Sequence, residues 1–168
     1  MTLPRDTLVE IAGGALAAAR NYLRAARQAC AVRIAPTGKP DATAADREQR
    51  MLHAFAWIAT TVEALEATKN WATQSHNAGR LSACDALVLR IGFGEYLSQL
   101  LGGLPMSQNE FVRPMDLGLA EQALVLANDE SVRHFLEDGN GAGARAENKQ
   151  PGDSHRCIDD SHLHWWKN

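Results

Sequence analysis

The most constraining feature of this sequence is an apolar pattern that only a long helix can satisfy. From Asp6 to about Arg33, Leu8, Ile11, Ala15, Leu16, Ala19, Tyr22, Leu23, Ala26 and Cys30 recur at three- and four-residue steps. That recurrence draws one stripe along a helix and excludes a strand, whose side chains alternate every second residue. Asp6 or Thr7 is placed to cap the start. Arg20, Arg24, Arg27 and Arg33 fall towards the other face and the C-terminal half, where cations suit the helix dipole. Such a basic face reads first as a solvated surface.

Ala35 to Pro40, with two prolines and a glycine, is the first clear breaker. Asp41 then caps a second helix predicted to run to about Ser75, with Leu52, Phe55, Ala59, Val62 and Leu65 as its stripe. Trp57 and Trp71 flank that stripe and are placed to reach a neighbouring helix or subunit. At ~1.5 Å per residue this helix would span roughly 50 Å. After the turn His76–Arg80, with Gly79 as its stop, a third helix is expected from about Leu81 to Leu101. Leu81, Cys84, Leu87, Val88, Ile91, Leu97, Leu100 and Leu101 supply its buried positions. Short links between long helices make antiparallel neighbours. The expected fold class is therefore all-α: an antiparallel up-down-up bundle of three long helices.

The third helix carries two glycines, Gly92 and Gly94, each costing on the order of 1 kcal/mol relative to alanine. Close packing of another helix or a ligand is the usual reason such a cost persists. The glycines in Gly92-Phe93-Gly94-Glu95 do not make a dinucleotide fingerprint. Position 97 is Leu instead of the third glycine, and helix flanks the motif on both sides. From Gly102 to Gly118 the chain reads as an irregular strap, with Pro105 and Pro114 blocking helix. Two short helices follow, Ala120–Ala127 and one capped by Asp129 that ends at Gly139, with Val132, Phe135 and Leu136 on one side. The helical domain is thus assigned to residues 1–138. Residues 139–168 hold only Ile158 and Leu163 as large aliphatics, which predicts a disordered tail. The change of character near Arg145 is that expected of a frameshifted or truncated gene.

At 168 residues, with 45% hydrophobic and 22% charged residues, the chain has the composition of one globular domain. A formal charge of -3 provides no broad basic field for nucleic acid or anionic lipid. Neither a secretory leader nor an apolar run of membrane-spanning length is visible. Cys30, Cys84 and Cys157 are too few and scattered for a disulfide framework, which points to a reducing, cytoplasmic setting. Cys84 is expected inside the core. The tail's His155, Cys157, His162 and His164 are zinc-ligand types without the spacing of a zinc module. Glu63, Glu66 and Glu95 lack the E-x-x-H partner of a di-iron bundle. Glu66 is expected to pair with Lys69 on an exposed face. No G-x-S-x-G, P-loop or H-E-x-x-H motif occurs. No catalytic, cofactor-binding or metal residue is assigned.

The segments MLHAFAWIATTVEAL (Met51 to Leu65) and IGFGEYLSQLLGGLPMSQNEFVRPMDLG (Ile91 to Gly118) carry a resemblance. They resemble the N-terminal helical extension of the methylsuccinyl-CoA dehydrogenases, flavin-dependent members of the acyl-CoA dehydrogenase family. The similarity covers roughly residues 5 to 145, and the GFGEYL and GG-x-PMSQ-E runs are its specific part. In that family the flavin site, acyl-CoA pocket and catalytic glutamate lie in a core that this sequence does not contain. The resemblance therefore implies a non-catalytic accessory domain, with FAD expected only in the core of such an enzyme. Its partner would be an acyl-CoA dehydrogenase core or a second copy of itself. The expected packing or docking surface is Gly92, Gly94 and Glu95 with Leu104, Met106, Phe111 and Val112 of the strap. The alternative is a self-standing helical interaction module that dimerises. A small enzyme or metal protein using the tail histidines or the bundle glutamates is a third.

Overall fold

The computed structural model describes residues 4–139 and 141–143. Among them are six α-helices and one two-stranded hairpin. Helix α1 spans Arg5–Ile34, α2 Ala42–Arg47, α3 Gln49–Asn77 and α4 Ala83–Gly102. Strands β1 (Leu104–Ser107) and β2 (Glu110–Val112) follow, then a 3-10 turn at Pro114–Leu117. Helices α5 (Ala120–Asn128) and α6 (Glu130–His134) complete the order, α6 running on into a π-helical turn at Phe135–Gly139. The fold is mostly helical, but the hairpin corrects the all-α expectation. The assigned tail, with its histidines and Cys157, lies outside the described residues apart from Gly139 and 141–143.

The face of α1 read from periodicity is the face that is buried: Leu8, Ala15, Leu16, Ala19, Tyr22, Ala26 and Cys30 all lie in the core, joined by Ala12. Its start differs. Pro4 precedes the first turn without a side-chain cap, so neither Asp6 nor Thr7 caps it. Proline at this boundary has no N–H to leave unsatisfied. The second predicted helix is two helices. Asp41 does cap the first, its carboxylate accepting from the amides of Thr43 (2.8 Å) and Ala44 (3.2 Å). At Glu48 the backbone leaves helical geometry (φ -97°, ψ 20°). The carboxylate of this corner residue meets Arg33 at 3.5 Å and Arg47 at 3.3 Å.

The chain then returns along α1. Polar contacts descend the two helices in opposite order: the ion pairs Arg33–Glu48 and Arg20–Glu66 (2.5 Å), then Asp6 with His76 at 3.3 Å. Glu66 is thus partnered across the helix interface by Arg20, not along its own helix by Lys69. Small residues let the pair close up, with Ala12, Ala15, Ala19 and Ala26 of α1 and Ala54 and Ala72 of α3 buried. The α3 stripe is rotated by about one residue from the predicted one. Met51, Ala54, Ile58, Thr61, Val62 and Leu65 are buried, while Leu52 and Phe55 sit half-buried at the margin. Thr61, the buried polar residue here, donates its hydroxyl to the Trp57 carbonyl one turn back (2.9 Å).

Helix α3 stops as its glycine predicts. Gly79 adopts φ +65°, its N–H reaches the His76 carbonyl and the Arg80 N–H reaches that of Ser75. This is the Schellman arrangement, which satisfies carbonyls a helix end would otherwise leave open. Ser82 and Asp85 then form a capping box that starts α4 (Ser82 N–H to Asp85, 2.8 Å; Asp85 N–H to Ser82 hydroxyl, 3.1 Å). Gly103, at φ +136°, turns the chain out of α4 into β1. Antiparallel pairing joins Leu104 with Val112 and Pro105 with Phe111. The alternation of a strand points Leu104 and Met106 into the core. Arg50 of α3 anchors β2, donating to the Glu110 carboxylate (3.0 Å) and the Phe111 carbonyl (2.9 Å).

Tyr22 is 3% exposed, and burial pushes its phenol up to about 12 from the ordinary 10. The folded chain therefore holds this proton to higher pH than the unfolded chain. The associated stability is complete below pH 10 and is lost as pH rises from 10 to 12, roughly 2–3 kcal/mol in all. Urea midpoints at pH 8 and pH 11 should fall more steeply for the wild-type chain than for Tyr22→Phe. Parallel falls would show that Tyr22 ionises as freely in the folded chain as in the unfolded one.

Candidate functional site

Helix α4 is built to place one face inside. Ala86, Leu87, Leu89, Phe93, Gly94, Leu97 and Leu100 are buried, with Phe93 stacked on Phe135 of the π turn at 4.8 Å between ring centroids. Gly94 lies on this inner face. A Cβ on Gly139 would come 3.3 Å from the Gly94 Cα and 2.3 Å from the Arg90 carbonyl oxygen. The close approach expected at the glycine pair is thus real at Gly94, and its partner is the chain's own π turn. Arg90 secures it further, donating to the Asp138 carbonyl at 3.3 Å.

Gly92 is different. It is half-buried, and no described residue lies within 4 Å of where its Cβ would be. Glu95 beside it is also half-buried. Of the strap residues, Leu104, Met106 and Val112 are core, and Phe111 is 44% exposed. The seven residues singled out from the sequence therefore divide. Gly94, Leu104, Met106 and Val112 pack the interior, whereas Gly92, Glu95 and Phe111 reach the surface. Val88, expected in the buried stripe, is 45% exposed. A period of 3.6 cannot fix which margin of a broad stripe meets solvent.

Sequence reasoning missed the most exposed apolar residues, Met115, Leu124 and Val125. The signal was present in Leu124-Val125-Leu126, because three consecutive positions span most of a helix circumference. Only Leu126 of the three is buried. Cys30 is a free, buried thiol, raised by burial and lowered by the nearby Arg33, burial being the larger effect. Cys84, expected inside the core, is half-buried.

A depression of about 450 Å³ lies where Ile11 faces Glu130, Ser131, Arg133, His134 and Glu137. Along the helix Arg133 pairs with Glu137 at 3.3 Å, and the His134 ring lies 3.7 Å from the Asp138 carboxylate. Ser131 is crowded by α1, since a Cβ on Gly14 would lie 2.3 Å from its hydroxyl oxygen. These contacts serve helix packing and make no nucleophile–base pair. Among the described residues no group of three or more His, Cys, Asp or Glu side chains could hold a metal ion. None of the described helices is long and apolar enough to cross a membrane.

The described residues form a mostly helical unit with several exposed apolar side chains. Sequence relates that unit to one part of an acyl-CoA dehydrogenase. The chain is 38% identical over 139 residues to the (2S)-methylsuccinyl-CoA dehydrogenase of Cereibacter sphaeroides. The match takes in 83% of this chain and 25% of that enzyme, so the chain spans about a quarter of its relative's length. No family model matches the chain.

Proposed function

We propose that this chain is the accessory helical domain of an FAD-dependent acyl-CoA dehydrogenase of the methylsuccinyl-CoA dehydrogenase type. It packs on the flavoenzyme core or across a subunit interface and is not catalytic alone. The observation that carries this reading is the proportion of the match: 83% of this chain aligns with 25% of a dehydrogenase. In this reading the three long helices act as one antiparallel bundle, corresponding to the N-terminal extension, and FAD and acyl-CoA are handled by the core. Gly92, Glu95 and Phe111 belong to the docking surface, while Gly94, Leu104, Met106 and Val112 shape it from beneath.

The test is a titration of the full chain with the C. sphaeroides enzyme lacking its matching quarter, in a preparation that retains flavin. A saturable 1:1 complex per subunit by calorimetry is expected. Absence of any complex would remove the reading. A self-standing, dimerising module is the second reading, favoured by the exposed pair Leu124 (64%) and Val125 (73%). It requires a concentration-dependent dimer in light scattering.

A further inference from the structure

We draw no further inference here: the strongest candidate, the apolar surface patch that Leu124 and Val125 form on α5, carries none, because nothing in the structure shows what covers it.

Discussion

Gly139→Ala is expected to destabilise the chain by about 3 kcal/mol or more, the upper end for an overpacked core. The new methyl group would sit 2.3 Å from the Arg90 carbonyl oxygen and 3.2 Å from its carbonyl carbon. Both atoms are backbone in the middle of α4, so no rotamer change relieves the clash. Relief requires moving the π turn off the helix, which pulls Phe135 away from Phe93. The measurement is a chemical denaturation midpoint with Gly92→Ala as control. That control should be neutral or slightly stabilising, because its methyl group meets no described residue. A Gly139→Ala midpoint equal to wild type would show that the close approach of the π turn to α4 is not maintained.

Phe93→Ala should have an effect of the same order, about 3–5 kcal/mol. Phe93 and Phe135 are both 0% exposed and lie at the junction of α4 with the π turn. Truncation removes a large buried apolar surface, leaves a cavity and deletes an aromatic pair whose ring centroids are 4.8 Å apart. Domains are marginally stable, by about 5–15 kcal/mol. Such a loss should therefore appear as a large drop in the melting temperature followed by circular dichroism. Phe135→Ala should cost less in a Phe93→Ala background than alone, since the partner ring is already gone. Strict additivity would mean that the two rings do not stabilise each other.

Both substitutions act at a seam that also supports the proposed docking face. Phe93 and Gly94 look inward at the π turn, and Gly92 looks outward one residue earlier. A helix so tightly seated is a rigid platform, and rigidity lowers the entropic cost of docking. The hairpin is similarly pinned, with Arg50 holding the Phe111 carbonyl while the Phe111 ring stays exposed.

Much of the helical part of this protein is determined locally, and there the sequence suffices. The buried face of α1, the cap at Asp41, the stop at Gly79 and the short helix at Ala120 follow from residue spacing. Capping hydrogen bonds and glycine's access to positive φ act within a few residues, so a one-dimensional reading captures them. The resemblance carried by GFGEYL and PMSQNE was equally legible. What the sequence left open depends on residues far apart in the chain. Leu104 and Val112 form a ladder because Arg50, sixty residues before Glu110, holds their hairpin. The predicted second helix breaks at Glu48, where α3 must lie back along α1, and the carboxylate there meets Arg33. Gly92 and Gly94 look alike in sequence, and only packing tells them apart. One turns inward to a π turn more than forty residues later, and the other meets no described residue within 4 Å of its Cβ position. Helix periodicity says which residues share a side; only the neighbouring elements decide whether that side is covered.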